Sequence, residues 1–204
     1  MCRILDGKTE QMNFIESIKI TDGVPQNLEL HAGRASRTIY DHFGIRGGLP
    51  LHEILHEARR HPQGLYKMRI LYSKEIISIN CEEYRPRNVR SLKLVDGGNI
   101  EYSYKYEDRS SLNRLLEQKG ECDDILIVKN GLITDTSYSN IVFGMGGKLF
   151  TPSSFLLNGV KREFLLKSGI ITQTEISPSD IASCDSIFMI NSMLDMHPVE
   201  RILF

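Results

Sequence analysis

The most constraining feature of the sequence is a polar segment enclosed by two strongly apolar ones. Residues 124–128 form a segment that is apolar from residue 125 onwards and ends in the turn Lys129-Asn130-Gly131, and residues 140–143 form a second segment that is apolar from residue 141 onwards. Short apolar runs bounded by turn residues predict buried β-strands. Residues 134–138, between them, carry hydroxyls and a carboxylate. Polar groups between core strands need partners, so the pattern indicates either a ligand site or a polar turn in contact with water.

The remaining chain predicts helices as well as strands. Apolar residues recur at steps of three and four over residues 28–43 and 51–61, which favours two amphipathic helices. Alternating residues predict a strand at 13–20 and a hairpin over 66–83. The mixture predicts an α+β (α/β) fold.

A length of 204 residues allows one large domain or two small ones. The turn Asp96-Gly97-Gly98 separates halves of different character. We therefore predict an N-terminal subdomain at residues 1–98 and a C-terminal subdomain at 99–204 that carries most of any ligand site.

Charge and composition exclude several classes of function. Lys and Arg total 25 against 26 Asp and Glu, so no basic excess points to nucleic acid. No apolar run is long enough for a membrane span, and no signal peptide is recognisable at the start. The four scattered cysteines form no CxxC pair, which is typical of free thiols in the cytoplasm; they are Cys2, Cys81, Cys122 and Cys184. We expect a soluble, cytoplasmic protein.

One short motif offers a metal-dependent alternative. His52-Glu53-Ile54-Leu55-His56 places two imidazoles four residues apart on a predicted helix, as in zinc hydrolases of the H-E-x-x-H type. A catalytic zinc ion also needs a third protein ligand, and the sequence shows no downstream signature for one. The competing interpretation is an exposed polar helix face, and no metal site is predicted.

Several motifs in chain order give the sequence a resemblance to the class IV (fold type IV) pyridoxal-phosphate enzymes, such as branched-chain and D-amino-acid aminotransferases and aminodeoxychorismate lyases. The resemblance implies a two-subdomain, D-amino-acid-aminotransferase-like fold and a pyridoxal 5'-phosphate cofactor. The motifs are Ile15-Glu16-Ser17-Ile18-Lys19, Leu28-Glu29-Leu30-His31-Ala32-Gly33-Arg34, Ile133 to Phe143, Phe150-Thr151-Pro152-Ser153, Leu157-Asn158-Gly159-Val160-Lys161-Arg162 and Asp185 to Val199.

The same resemblance implies the site residues. Lys105 takes the place of the Schiff-base lysine, with Lys93 as the fallback, and Ser17 that of a strand threonine thought to assist catalysis. Asp135 replaces the usual glutamate that pairs with the pyridine nitrogen. Arg34 is the expected phosphate ligand. The other expected cofactor contacts are Ser137, Asn140, Val160, Lys161 and Ser192.

The reaction stays open between two members of the family. The segment Asn191-Ser192-Met193 is more similar to the lyases, which release pyruvate and 4-aminobenzoate from 4-amino-4-deoxychorismate. The hairpin turn at Ser73-Lys74 is too short for the carboxylate trap of D-amino-acid aminotransferases. We lead with the lyase and keep a class IV aminotransferase, an inactive relative and a zinc hydrolase as alternatives.

Two further expectations depend on the resemblance alone. Family members are homodimers, so we expect a homodimer that acts on a small amino substrate. Family chains begin with an extra strand and a glycine- and tyrosine-containing loop that residues 1–13 do not match. We therefore predict a shortened N-terminal region.

Overall fold

The computed structural model describes residues 12–204, which form two β-sheets and four α-helices. The helices are α1 Leu28–Phe43, α2 Leu51–Arg59, α3 Ser110–Leu116 and α4 Val160–Lys167. The strands are β1 Phe14–Thr21, β2 Val24–Pro25, β3 Leu65–Tyr72, β4 Ile76–Glu83, β5 Ser91–Asp96, β6 Asp124–Lys129, β7 Leu132–Thr136, β8 Asn140–Met145, β9 Lys148–Pro152, β10 Thr172–Thr174, β11 Ser186–Ile190, β12 His197–Pro198 and β13 Arg201–Leu203. Short 3-10 turns cover Glu117–Lys119 and Pro178–Ser183.

The first sheet is antiparallel, with the strand order β2-β1-β3-β4. Its two faces differ because alternate residues of a strand point to opposite sides. Even-numbered positions of β1 and β3 are buried against helices α1 and α2, and each large apolar side chain there contributes roughly 1.5–3 kcal/mol. The largest members of this core are Phe14, Ile18, Ile20, Ile39, Ile54, Met68, Ile70 and Tyr72. Odd-numbered positions are left on the opposite face, where they form one wall of the cavity described below.

The second sheet is mixed, along the path β10-β9-β8-β7-β6-β5-β13, with β11 beside β8. Strand β6 lies between a parallel partner, β5, and an antiparallel partner, β7. Ile125, Leu126 and Ile127 are fully buried and contribute to two different hydrophobic clusters. Burial on both faces explains why residues 125–128 of β6 are continuously apolar rather than alternating.

The sheets divide earlier than the predicted boundary at residue 98. Strand β5 pairs in parallel with β6, from Leu92 opposite Asp124 to Asp96 opposite Val128. It therefore belongs to the second sheet, and the connection of residues 84–90 joins the two sheets. The turn at residues 96–98 follows the end of β5, and the subdomain boundary placed there stays a prediction.

The chain after β5 returns to the first sheet. Strand β2 covers only the last two positions of β1, so the start of β1 has an open edge. There, the amide of Ile15 donates to the carbonyl of Lys105 at 2.9 Å, and Phe14 forms a β-bridge with Tyr106. These contacts fix the backbone of Lys105 between the two sheets.

The predicted α+β class is confirmed. Both long helices and the hairpin occur where the sequence places them, and no helix in residues 12–204 is long and apolar enough to cross a membrane. The predicted shortening of the N-terminal region concerns residues that lie mainly outside the described part of the chain.

Candidate active site

A cavity of about 560 Å³ lies between the two sheets. Its walls come from β1 and β3 of the first sheet, from the segment after β5, from the β7–β8 region and from the start of α4. Eight of the nine predicted site residues line it, namely Ser17, Arg34, Lys105, Asp135, Ser137, Asn140, Val160 and Ser192. The ninth, Lys161, is not among the lining residues.

Lys105 presents a primary amine to this cavity. Its backbone is held on the edge of β1, and no acceptor within residues 12–204 forms a hydrogen bond with its Nζ. Burial and the neighbouring cations Arg34 and Arg109 lower the pKa of Lys105 to about 8, against an opposing effect of Glu16. A lysine in this setting has an appreciable fraction of neutral, nucleophilic amine near pH 7.

Arg34 is anchored by a buried carboxylate. Glu16 accepts hydrogen bonds from Nε of Arg34 at 2.8 Å and from Nη2 at 2.5 Å, and the ring of His31 lies 2.6 Å from the same carboxylate. Burial alone would raise the pKa of Glu16, but Arg34 and His31 outweigh it and lower the pKa to about 2. Two nitrogens of the Arg34 guanidinium, Nε and Nη2, are therefore bound to Glu16. The third nitrogen, Nη1, remains available to an anion in the cavity.

Asp135 is a buried carboxylate on the opposite side of the site. It accepts hydrogen bonds from Nδ2 of Asn140 at 2.8 Å and from the amides of Leu156 and Leu157 at 3.1 and 2.9 Å. Burial raises its pKa to about 6, although these hydrogen bonds oppose the shift. A cationic N–H group brought to this carboxylate would stabilise its ionised form.

Two backbone segments close the site near Arg34. Helix α4 begins at Val160, so the first amides of the helix have no intrahelical acceptors and suit an anion. On the other segment, Oδ1 of Asn191 accepts from the amides of Met193 and Leu194 at 2.8 and 2.9 Å. This turn holds Ser192 at the cavity.

The side chain of Lys161 has a different partner from the one predicted. Its ammonium group pairs with Asp195, whose carboxylate also binds Lys19 of β1 at 2.9 Å. Lys161 therefore links the start of α4 to the loop after β11 and to the first sheet. Only its backbone amide, in the first turn of α4, remains available to a ligand in the cavity.

The wall formed by the first sheet is cationic around Ser17. Ser17 lies in β1 directly opposite Arg69 of β3, and Lys67 follows on the same face. Arg69 lies 3.5 Å from Glu107, and Lys67 lies 2.6 Å from Glu82. The hydroxyl of Ser17 thus faces the cavity among positive charges.

Ser137 is held in place through its backbone. Nη2 of Arg109 donates to its carbonyl at 2.6 Å. Arg109 lines the cavity as well, so the segment after Lys105 and the β7–β8 turn are tied together at the site.

The zinc alternative has no supporting geometry. His52, Glu53 and His56 lie exposed on α2 and do not line the cavity. Within residues 12–204, no group of three or more His, Cys, Asp or Glu side chains is arranged to hold a metal ion. The H-E-x-x-H motif is the polar face of a surface helix.

Several residues of the site were not identified from the sequence. Glu16 and His31 belong to the family motifs, but the resemblance implies no role for them. Lys67 and Arg69 of β3 alternate with buried residues in the sequence. This period of two could have indicated that they lie on the same face of the first sheet as Ser17. The unassigned lining residues that carry charge or an aromatic ring are Lys67, Arg69, Tyr84, Arg87, Tyr102, Glu107, Arg109 and Tyr138.

Comparisons with known proteins identify the family of this chain. The sequence model of the amino-transferase class IV family matches residues 105–202. An uncharacterized protein of Haemophilus influenzae is 37% identical over 182 residues, which are 88% of this chain and 97% of the relative.

Solved structures share the fold. A Haemophilus somnus protein with a provisional assignment as 4-amino-4-deoxychorismate lyase is 33% identical, with a TM-score of 0.81 over 90% of this chain and 97% of its own. The 4-amino-4-deoxychorismate lyase of Pseudomonas aeruginosa is 17% identical, with a TM-score of 0.72 over 100% of this chain and 88% of its own. The chain belongs to the class IV aminotransferase family, whose members are pyridoxal-phosphate-dependent lyases and aminotransferases.

Proposed function

We propose that this protein binds pyridoxal 5'-phosphate at the cavity and acts as a 4-amino-4-deoxychorismate lyase. The observation that carries the proposal is the convergence of three groups on one cavity. They are the unpaired amine of Lys105, the anchored guanidinium of Arg34 and the buried carboxylate of Asp135.

These residues fit the cofactor group by group. The free edge of Arg34 and the first amides of α4 suit a phosphate, and Ser192 lines the same cavity. Asp135 suits the protonated nitrogen of a pyridine ring, and Lys105 suits an aldehyde carbon. Ser137 and Asn140 line the same cavity, and Asn140 donates to Asp135 and to the carbonyl of Leu157.

The chain's own residues then account for the proton transfers. When bound, the cofactor supplies an electrophilic aldehyde and a ring that accepts electron density from the substrate. Lys105 has a lowered pKa and would serve as both base and acid near neutral pH. Ser17 lies on the facing wall, where its hydroxyl can pass a proton to or from the substrate. In the lyase reaction, these protons move as the pyruvate unit leaves and 4-aminobenzoate forms.

Two observations favour the lyase over an aminotransferase. The relative from Haemophilus somnus, provisionally a lyase, is similar over nearly its whole length. The cavity also has six cationic lining side chains against two carboxylates, which suits a substrate with two carboxylates better than an apolar amino acid. The cations are Arg34, Lys67, Arg69, Arg87, Lys105 and Arg109, and the carboxylates are Glu107 and Asp135.

The decisive experiment compares the two reactions on one preparation. Protein loaded with the cofactor is assayed for pyruvate release from 4-amino-4-deoxychorismate and for keto-acid-dependent amino transfer from a panel of L- and D-amino acids. We expect pyruvate release, lost in Lys105→Ala together with the visible absorbance of the bound cofactor. Lys93→Ala is the matched control, because Lys93 lies on β5 and binds the carbonyl of Phe204. Amino transfer without pyruvate release contradicts the lyase proposal.

We further propose that the active form is a cytoplasmic homodimer, as the family resemblance implies. Light scattering of the loaded protein tests the oligomeric state. A fully active monomer would contradict this part of the proposal without affecting the reaction.

A further inference from the structure

Arg87 is a cation of the cavity lining that has no acceptor in residues 12–204 and no part in the proposed cofactor site. Four of the others are committed, since Arg34 binds Glu16, Lys67 binds Glu82, Arg69 lies near Glu107 and Arg109 binds the carbonyl of Ser137. The fifth, Lys105, is assigned to the cofactor. Arg87 is exposed and forms neither an ion pair nor a hydrogen bond with the described residues.

The position of Arg87 is nevertheless well defined. It belongs to the connection of residues 84–90, whose two ends are anchored to different sheets. At one end, the amide of Tyr84 donates to the carbonyl of Leu65 at 2.9 Å. At the other end, Val89 is buried and the amide of Arg90 donates to Asp123 at 2.9 Å. The connection is therefore held over the cavity at both ends.

The guanidinium of Arg87 lies on an aromatic ring. Its Cζ is 5.3 Å from the centroid of the Tyr138 ring, and both residues line the cavity with Tyr84. A guanidinium stacked on a ring keeps the N–H groups of its edge free, and this edge matches a carboxylate with two parallel hydrogen bonds. The hydroxyl of Tyr138 is buried and has no hydrogen-bond partner among the described residues.

We propose that Arg87, supported by the ring of Tyr138, binds the ring carboxylate of the substrate. This inference rests on the proposed function. In 4-amino-4-deoxychorismate, that carboxylate lies across the six-membered ring from the amine. With the amine directed to Lys105 inside the cavity, the carboxylate points to the more exposed end, where Arg87 lies. Arg87 is then a specificity residue that selects an amine with a distant carboxylate.

The product 4-aminobenzoate keeps this carboxylate, so its binding tests the inference without catalysis. The loaded protein is titrated calorimetrically with 4-aminobenzoate and with 4-aminobenzamide, which has the same shape but no charge. We expect the wild type to prefer the carboxylate roughly tenfold or more, as for a hydrogen bond to a charged group. Arg87→Gln should remove this preference.

Two further variants test whether the preference for the carboxylate depends specifically on Arg87. Arg85→Gln is the matched control, because Arg85 belongs to the same connection but is exposed, does not line the cavity and pairs with Glu83 at 3.7 Å. It should keep the preference, and so should Tyr138→Phe, which retains the supporting ring. The absorbance of the bound cofactor should be unchanged in all three variants.

The outcomes distinguish this inference from the proposed function. Loss of the preference in Arg87→Gln alone supports it, even if the wild type releases no pyruvate and the lyase proposal fails. An equal preference in wild type and Arg87→Gln overturns it, as does a wild type that binds neither compound or does not distinguish them.

Discussion

Gly159 and Asn140 are in such close contact that a Cβ atom added to Gly159 would lie 2.1 Å from Oδ1 of Asn140. The amide nitrogen of Asn140 donates to Asp135 at 2.8 Å and to the carbonyl of Leu157 at 2.9 Å. The absence of a side chain at residue 159 therefore lets the start of α4 approach the β7–β8 wall. The contact between Gly159 and Asn140 therefore sets the position of the proposed phosphate site, at the start of α4, relative to the proposed site of the pyridine nitrogen, at Asp135.

Gly159→Ala should consequently damage both sites at once. The methyl group must displace Asn140, and overpacking of this kind costs about 1–3 kcal/mol. We expect the free energy of unfolding to fall by about that amount and the affinity for pyridoxal phosphate to fall at least about tenfold. Gly47→Ala is the control, since a Cβ at Gly47 meets open space. Equal behaviour of the two variants in denaturation and cofactor titration would refute the contact's importance.

Glu16→Gln should change the acid stability of the cofactor-free protein. The folded-state pKa of Glu16, about 2, is below its ordinary value of 4.5, so the ionised carboxylate stabilises the fold above about pH 4.5. This stabilisation is lost as the pH falls from about 4.5 towards 2. Denaturation as a function of pH should show a loss of about 2–3 kcal/mol in the wild type over this interval.

In Glu16→Gln that part of the pH dependence should be absent, and the protein should be less stable at neutral pH because Arg34 loses its buried partner. Glu83→Gln, on the exposed end of β4, is the control and should retain the wild-type profile. A Glu16→Gln profile parallel to that of the wild type would show that the shift in pKa has another origin.

Local patterns in the sequence predicted the elements of this fold well. Residues 28–43 form a helix over the full predicted length, and the apolar run at 124–128 lies in β6. The helix buries one stripe of its surface, and the strand is buried as a whole. The spacing of apolar residues along the sequence reflects both kinds of burial directly. The polar segment between the two apolar strands does line a cavity, and Asp135 and Asn140 in it are hydrogen-bonded to each other.

Such patterns do not predict contacts between segments that are distant in the sequence. Lys105 was located only by the order of family motifs, because nothing in its neighbours shows that its backbone pairs with β1. The partner of Lys161 is Asp195, 34 residues away, and no local rule links them. The sheet to which β5 belongs is likewise decided by its pairing with β6 and not by the turn that follows it.

Asp195→Asn tests the link between α4 and β1. Asp195 is 68% exposed, whereas its partners Lys19 and Lys161 are 19% and 14% exposed. Because the shared carboxylate is in contact with water, the pair should contribute no more than about 1 kcal/mol, and salt should weaken it. Urea denaturation at low and high salt should show a small loss at low salt only. A large loss that salt does not alter would indicate a structural role for Asp195 beyond its charge.

Asp135→Asn should weaken cofactor binding and remove part of its pH dependence. Burial raises the pKa of Asp135 to about 6, so the free site is increasingly protonated below that pH. A protonated carboxyl cannot pair with the protonated ring nitrogen, so wild-type affinity should fall as the pH drops through about 6. Affinity should be lower in the variant and depend less on pH. The difference between the two profiles isolates Asp135 from the titration of the cofactor phosphate, and identical slopes would contradict its assignment.

The rate of covalent cofactor attachment should report the pKa of Lys105. Burial lowers this pKa to about 8, so about a tenth of the amines are neutral at pH 7, far more than for a lysine of ordinary pKa. Since only the neutral amine attacks an aldehyde, the rate measured by stopped-flow absorbance should rise about tenfold between about pH 7 and 9 and then level off. Removing a nearby cation in Arg109→Gln should raise the pKa of Lys105 and move the midpoint to higher pH, because Arg109 contributes to the lowering. A midpoint near the ordinary value for lysine, unaffected by Arg109→Gln, would show that the cavity does not prepare this amine for attack.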